Sequence, residues 1–294
     1  MLQNILALIY DFDLTLIPGF MQEPLFKKYG VNADKFWAES AALRDTAAQK
    51  GVNLDSECGY MNLILRYVKD GKFPNLSNKE LFQLGGEIEP YKGLPEFFQR
   101  IKENIEKEPQ FEKHQITVEH YVISTGLKPM ILGSAVGKEL KDIFASELME
   151  DERGVVCEIA RTVGHLKKTE FIHLINKGGN VDKSVKVEDV VPNEYRRIPF
   201  QNMCYIGDGQ TDISSMATIN GRGGTSLAVY NPSDKKYFRE AFNLRDQGRV
   251  FNFGPADYSE GSQISLTIEE VLYRKAKTIV KNREEEILRG MGKK

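Results

Sequence analysis

Short, uninterrupted hydrophobic runs recur along the chain and predict seven β-strands. By residue number, the runs are 5–10, 118–124, 143–145, 155–160, 202–206, 226–230 and 250–253. Continuous runs of this length are typical of strands that are covered on both faces, as they are in a parallel sheet. Amphipathic stretches that predict helices lie between the runs, among them 94–105 and 168–176. This alternation predicts an α/β domain with a largely parallel sheet.

A different pattern fills the interval between the first two predicted strands. No strand pattern occurs there, and glycines with capping signals divide the interval into predicted helices near 24–30, 33–50, 56–70 and 77–85. We therefore expect an all-helical domain of residues 19–88. It would be inserted into a discontinuous α/β domain of residues 1–18 and 89–294.

A long helix is also predicted at the end of the chain, at about 268–290. Thr267 and Glu270 have the spacing of a capping box, which places the helix start at this point. The apolar positions of the stretch fall on one face, which we expect to pack on the α/β domain.

Composition and charge argue against several classes of protein. The 294 residues include 40 basic and 42 acidic side chains, and this balance gives no indication of a nucleic-acid or membrane surface. The three cysteines have no paired spacing, which fits a reducing compartment. The N-terminal segment lacks the features of a signal peptide, and no hydrophobic run reaches membrane-spanning length. We expect a cytoplasmic protein that binds neither nucleic acids nor membranes.

Polar side chains follow three of the predicted strands at the point where each strand ends. Asp11 and Asp13 follow the first, Ser124 ends the second, and Asp208 and Asp212 follow the fifth. Ligands of open parallel sheets bind at the carboxyl ends of the strands, so we expect these segments to converge. Crowded carboxylates need a cation to stay ionised, and oxygen ligands of this kind suit Mg²⁺. A metal-bound carboxylate such as Asp11 can attack phosphorus, with Ser124 and a lysine stabilising the phosphoryl oxygens.

Each of these features has a structural interpretation when it is taken alone. Asp11 and Asp13 fit a turn at the end of a strand, whereas Asp208 and Asp212 fit an Asx-turn and a helix N-cap. His165 fits a structural or surface histidine better than a substrate ligand. The occurrence of all the acidic pairs after hydrophobic strands favours a common site.

The same segments resemble the four motifs of the haloacid dehalogenase (HAD) superfamily of phosphohydrolases. The sequence DFDLT at 11–15 matches the first motif, DxDxT. VIST at 122–125 resembles the second motif, and GDGQTD at 207–212 is very similar to the fourth. The third motif is a lysine near a helix start, and KTEFI at 168–172 resembles its form in phosphoserine-phosphatase-like members. The motifs occur in the family's order, and the resemblance covers 1–18 and roughly 89–230.

The resemblance implies a Rossmann-like three-layer core and a role for each matched residue. Asp11 would be the nucleophile and a Mg²⁺ ligand. Asp13 would protonate the leaving group and then activate water, and its carbonyl would bind the metal. Asp208 would bind Mg²⁺ directly, and Asp212 directly or through water. The transferring phosphoryl group would be held by Ser124 and Lys168.

Two of these assignments have neighbouring alternatives. Thr125 is the alternative to Ser124, which we prefer because the family's residue ends the strand directly before a small pair. Lys167 is the alternative to Lys168, which shares a helix face with Ile172 and matches the family's spacing.

The predicted helical domain occupies the position of the family's C1 cap, which limits access to small substrates. The expected partner is therefore a small phosphorylated metabolite, and the expected state a monomer or homodimer. Phosphoserine phosphatases have a substrate-binding glutamate nine residues after the nucleophile. Phe20 occupies that position here, and Glu23 is the nearest acid, which argues against phosphoserine. Candidates to line the substrate side of the cap are Phe20, Met21 and Trp37, although core packing is favoured for Trp37. Arg44 and Arg66 are candidates to bind a substrate carboxylate.

The predicted function is Mg²⁺-dependent hydrolysis of a small phosphomonoester through a phosphoaspartate. One alternative uses the same aspartates for phosphoryl transfer to another acceptor, as a phosphotransferase or phosphomutase. A third possibility is a catalytically silent module that binds Mg²⁺ and phosphate and acts through protein interactions.

Overall fold

The computed structural model describes residues 3–291, which contain one seven-stranded sheet. The strands are Ile5–Tyr10 (β1), Thr117–Leu127 (β2), Asp142–Glu150 (β3), Val156–Arg161 (β4), Met203–Gly207 (β5), Thr225–Tyr230 (β6) and Asn252–Pro255 (β7). They lie in the order β4-β3-β2-β1-β5-β6-β7, and every neighbouring pair is parallel except β3 and β4. The prediction of an α/β fold with a largely parallel sheet is confirmed.

Eleven α-helices accompany the sheet within residues 3–291. They are Glu23–Tyr29 (α1), Ala33–Gln49 (α2), Ser56–Lys69 (α3), Asn78–Gly85 (α4), Glu96–Glu106 (α5), Pro109–Glu112 (α6), Lys128–Gly133 (α7), Lys167–Lys177 (α8), Ile213–Asn220 (α9), Lys235–Asp246 (α10) and Gln263–Met291 (α11). Helices α5 and α11 pack on one face of the sheet, and α8, α9 and α10 pack on the other. The core therefore has three layers. No helix within residues 3–291 is both long and apolar enough to cross a bilayer.

Strand β1 shows how the sequence produces these layers. Successive side chains of a strand point to opposite faces. Leu6, Leu8 and Tyr10 accordingly belong to one buried hydrophobic cluster, and Ala7 and Ile9 belong to the other. Because both faces are covered, the run carries no polar residue until the strand ends at the site.

Three predicted boundaries differ from the structure by three or more residues, and one of them is the end of β3, which was predicted over 143–145 and extends over Asp142–Glu150. Strand β2 does not end at Ser124 but continues to Leu127, with a shift of register against β3 between Ile123 and Leu127. The predicted helix start at Thr267 is wrong, because Thr267 lies inside α11 and its hydroxyl donates to the carbonyl of Gln263 at 2.7 Å.

The first four helices occupy the interval in which an all-helical segment was predicted. Gln22 and Gly30 are the N-cap and C-cap residues of the first helix. Ser77 caps the fourth by accepting a hydrogen bond from the Glu80 N–H at 3.1 Å. Their buried hydrophobic side chains belong to the same hydrophobic cluster as Leu6 and Leu8 of β1. These helices therefore pack directly over the α/β core.

Helices α4 and α7 approach each other unusually closely. A Cβ atom added to Gly85 would lie 2.2 Å from the backbone oxygen of Met130, and one added to Gly133 would lie 1.8 Å from that of Phe82. Only glycine fits at these two positions without moving a backbone. The contact fixes α4 against the helix that follows β2.

Candidate active site

The predicted site residues meet at the carboxyl ends of three neighbouring strands. Asp11 follows β1, and its backbone N–H donates to the carbonyl of Ile206 in β5 at 2.9 Å, which keeps the two strand ends side by side. Asp208 follows β5 directly, and Asp212 immediately precedes α9. The β1–β5 pairing thus brings together two motifs that lie far apart in the sequence.

Lys168 is the basic residue at the centre of this group. Its Nζ lies 2.9 Å from Asp11 Oδ2 and 2.8 Å from Asp212 Oδ1, and its side chain is completely buried. Burial alone would lower the pKa of Lys168, but Asp11 and Asp212 outweigh it and raise the pKa well above its usual value. The ammonium form is therefore strongly favoured. Between the two alternatives, it is Lys168 and not the half-buried Lys167 that contacts the acidic residues.

Asp11, Asp208 and Asp212 form an acidic cluster. Each can present one carboxylate oxygen so that the three oxygens lie within 4.8 Å of one another. Burial, and then the charges of Asp212 and Asp11, raise the pKa of Asp208 well above its usual value. Burial is also the main cause of the raised pKa of Asp11, about 6, with the charge of Lys168 opposing the shift. One lysine thus faces three carboxylates, which leaves negative charge uncompensated.

These residues fit a magnesium ion. Their donors are all carboxylate oxygens, the ligand type that Mg²⁺ prefers. Asp212 accepts hydrogen bonds at Oδ1 from Lys168 and from the Tyr205 hydroxyl, the latter at 2.6 Å. Its other oxygen, Oδ2, is buried and has no hydrogen-bond partner among the described residues. A buried oxygen of this kind needs a cation or donor, which a metal ion would provide.

Asp13 lies outside this cluster and in different surroundings. Its Oδ1 accepts a hydrogen bond from the Met21 N–H at 2.9 Å, and the residue lines a cavity of about 310 Å³. Burial and the nearby charge of Asp11 raise the pKa of Asp13 to about 8. The Asp13 carboxyl group is therefore predominantly protonated at neutral pH, unlike an ordinary aspartate.

The irregular end of β2 places Ser124 and Thr125 beside this region. Ser124 is buried, and its Oγ accepts a hydrogen bond from the Gly126 N–H at 3.1 Å. Thr125 lines the cavity with Asp13, and its carbonyl accepts the hydroxyl of Tyr60 at 2.9 Å. Of the two predicted alternatives, Thr125 therefore lies on the cavity wall, and Ser124 is buried next to it in β2.

The cavity is formed between the first helices and the core. Phe20, Trp37 and Arg44, three of the residues predicted to face the substrate, line it. Met21 is completely buried, and Arg66 is exposed and lies outside the cavity lining. The lining also includes Gln22, Ser40, Glu57 and Tyr60, which no motif or spacing had singled out.

A larger cavity, of about 870 Å³, lies at the opposite end of the sheet. Gln3, Gln115 and Asn202, which line it, precede strands β1, β2 and β5. None of the predicted site residues lines this cavity. Because ligands of open parallel sheets bind at the carboxyl ends of the strands, the smaller cavity beside Asp13 is the candidate active site.

Comparison with known proteins gives one relative and a clear fold. No protein-family model matches the sequence. An uncharacterized protein of Borreliella burgdorferi is 34% identical, over 91% of this chain and 96% of that protein.

Two solved structures have a similar fold at low identity. A HAD family hydrolase from Salmonella enterica serovar Typhi matches with a TM-score of 0.51 and 15% identity, over 85% of this chain and 66% of that one. A probable phosphoserine phosphatase from Vibrio cholerae matches with a TM-score of 0.54 and 14% identity, over 94% of this chain and 68% of that one. The chain therefore has the fold of HAD family hydrolases.

Proposed function

This chain belongs to the same family as the Borreliella burgdorferi protein and has the fold of HAD family hydrolases, and from that premise we propose that it is a Mg²⁺-dependent phosphatase. Its substrate would be a small phosphomonoester, hydrolysed through a phosphoaspartate at Asp11. One observation carries the proposal: Asp11 and Asp13, only two residues apart, differ in whether a cation contacts the carboxyl group. The carboxylate of Asp11 is paired with Lys168. The carboxyl group of Asp13 faces a cavity, and its pKa is raised to about 8. One group is suited to attack and the other to carry a proton.

In the first step, an oxygen of Asp11 forms a bond to phosphorus while the bond from phosphorus to the ester oxygen breaks. The ammonium group of Lys168, 2.9 Å from Asp11 Oδ2, keeps this carboxylate ionised against the effect of its burial. The same positive charge is placed to stabilise the phosphoryl oxygens. Ser124 or Thr125, at the end of β2, would donate further hydrogen bonds to that group.

Asp13 acts as the general acid in the first step and as the general base in the second. Its protonated carboxyl group gives the proton to the departing ester oxygen, which leaves as an alcohol. The resulting carboxylate then takes a proton from a water molecule as that water forms a bond to phosphorus. The bond between phosphorus and Asp11 breaks, so that inorganic phosphate and free Asp11 are produced. The cavity beside Asp13 provides the space for the alcohol portion of the ester.

Mg²⁺ would be held by the carboxylates of Asp11, Asp208 and Asp212, with the Asp13 carbonyl as a further candidate ligand. When bound, the ion supplies positive charge that stabilises the negative oxygens of the transferring group. The uncompensated charge of the cluster and the unpartnered oxygen of Asp212 support this assignment.

The proposal is tested by phosphate release from p-nitrophenyl phosphate and a panel of small phosphate esters, with and without Mg²⁺. We expect turnover that needs Mg²⁺ and that falls to background in Asp11→Asn. Asp45→Asn, a change of an exposed carboxylate on α2, serves as the matched control and should retain activity. Adding a competing alcohol and identifying the products separates hydrolysis from phosphoryl transfer. Absence of turnover on every ester, or equal rates in Asp11→Asn, would overturn the proposal.

A further inference from the structure

A buried carboxylate on the cavity wall has no role in the reaction proposed above. Glu57, in the first turn of α3, is only 5% exposed and lines the same cavity as Asp13. A buried carboxylate is costly unless a cation or hydrogen-bond donor compensates it. The basic side chain nearest to it among the described residues is His165, whose Nε2 lies 3.4 Å from Glu57 Oε1 and balances its charge only when the ring is protonated. No described residue donates a hydrogen bond to the other oxygen, so the carboxylate has capacity for a ligand.

The remaining walls of the cavity also favour a cationic ligand. Trp37 is flanked by Phe20 and Tyr60, with ring centroids 5.8 Å and 5.9 Å from its own, and all three residues line the cavity. Aromatic rings attract cations, most strongly where water is excluded. A carboxylate among aromatic rings is a combination that suits an ammonium group.

A second unsatisfied polar group lies in the same wall. Gln22 is 2% exposed and lines the cavity, and its Oε1 is buried with no hydrogen-bond partner among the described residues. Buried amide groups normally find a partner. An N–H group of a ligand would be such a partner, directly or after rotation of the amide.

Within the described lining, a substrate carboxylate has one strongly basic partner available. Arg44 is the one lysine or arginine among its described lining residues, and its side chain is exposed. No ion pair joins Arg44 to Glu57 in the described part of the chain. Glu57 is buried whereas Arg44 is exposed, so an acidic substrate group beside Glu57 would be repelled by a carboxylate that water screens poorly.

We propose that the substrate is the phosphate ester of a small amino alcohol, and that Glu57 determines this specificity by binding the ammonium group. The inference rests on the proposed phosphatase function, with the phosphate at Asp11 and the ammonium at Glu57, in the cavity that Asp13 also lines. Glu57 contacts the substrate but takes no part in bond making or breaking.

Binding is measured first, because it does not depend on turnover. With Mg²⁺ present, calorimetric titration compares 2-aminoethylphosphonate with propylphosphonate, in which a methyl group replaces the ammonium, and with the acidic 3-phosphonopropionate. We expect the amine to bind about 10- to 100-fold more tightly than propylphosphonate, as a charged hydrogen-bonded contact allows, and the acid to bind most weakly. Equal affinities, or a preference for the acid, would overturn the inference.

Glu57→Gln should remove most of this preference, whereas Asp55→Asn, an exposed carboxylate just before α3, should leave it intact. The same ratio is measured in turnover of 2-aminoethyl phosphate and propyl phosphate. A melting temperature that falls in Glu57→Gln with the binding ratio unchanged would show that Glu57 only joins α3 to His165, and would refute the inference. Hydrolysis of p-nitrophenyl phosphate without any preference for the amine would refute the specificity alone. Absence of all hydrolysis would refute the proposed function.

Discussion

Replacement of Lys168 by methionine tests the electrostatic basis of the site. Methionine keeps most of the volume of the aliphatic chain but removes the ammonium group that lies 2.9 Å from Asp11 and 2.8 Å from Asp212. Because Lys168 and Asp212 are both completely buried, water cannot replace the lost charge. The variant must keep two acidic side chains together without their shared cation.

The expected effect follows from the burial of the pair. Removing one partner of a buried ion pair costs about 3–5 kcal/mol, because the other partner stays buried and uncompensated. In Lys168→Met the carboxylates will hold their protons to higher pH in the folded state than in the unfolded chain. The folded state then binds more protons, so its stability falls as pH rises. The deficit should therefore be larger at pH 8 than at pH 5.

Magnesium should partly reverse this deficit. Without the lysine the cluster has more uncompensated negative charge, so Mg²⁺ should stabilise Lys168→Met more than it stabilises the unmodified protein. A ligand that binds only the folded state contributes about 2.7 kcal/mol at a concentration of 100 times its Kd. The gain on adding Mg²⁺ is thus measurable in the same unfolding experiment.

The assay is urea unfolding followed by tryptophan fluorescence at pH 5 and pH 8, with and without Mg²⁺. The control is Lys167→Met, in the neighbouring half-buried residue, which should change stability by no more than about 0.5 kcal/mol. If the two variants lose equal stability, or if the loss in Lys168→Met does not grow with pH, Lys168 is not the buried counter-ion described here.

Three further predictions follow from the fold and the acidic cluster. Asp208→Asn should stabilise the metal-free protein, because burial and neighbouring carboxylates disfavour the ionised form of Asp208. The same variant should lose the rise in Tm that Mg²⁺ causes, and a lower Tm without metal would contradict this prediction. Burial lowers the pKa of His120 to about 3, so its ring resonances should not titrate between pH 8 and 5 in an NMR experiment. Because the unfolded chain binds this proton near pH 6.5, stability attributable to His120 should fall by about 2 kcal/mol from pH 7 to 5, and a ring that titrates near 6.5 would exclude it. Gly133→Ala should lower the free energy of unfolding in urea by about 1–3 kcal/mol, because the added Cβ would overlap the backbone of Phe82. Gly86→Ala is the control and should lower it less, because the nearest atom to its added Cβ is 3.2 Å away. Equal losses would show that the contact between α4 and α7 is not constrained.

Much of the fold was predictable because its strands are buried on both faces. A run such as residues 5–10 has no polar position, and this pattern occurs in few contexts other than a central strand. The location of Asp11 and Asp208 followed from the rule that ligands bind where such strands end. The sequence could also predict the lysine near the start of α8, although only the structure separated Lys168 from Lys167 by their contacts.

Other features depend on packing that no local pattern records. Helix α11 begins at Gln263, four residues before the predicted start, and Ile264 in its first turn lies in the core, where it is 1% exposed. The capping-box rule selected Thr267 from its spacing to Glu270 alone, and it carries no information about the burial of Ile264. Glu57 similarly gave no signal, because its burial depends on how α3 packs against α2 and β4. Tyr205 became part of the site only when its hydroxyl was seen to contact Asp212.

The central claim is that Asp11 becomes covalently phosphorylated, and one measurement tests it most directly. The protein is mixed with Mg²⁺ and p-nitrophenyl phosphate, quenched in acid within the first turnovers, digested, and analysed by mass spectrometry. We predict a phosphoryl group on the peptide that contains Asp11, more of it in Asp13→Asn because hydrolysis of the intermediate is slowed, and none in Asp11→Asn. Unimpaired turnover in Asp11→Asn, or a phosphoryl group on a different residue, would contradict the account.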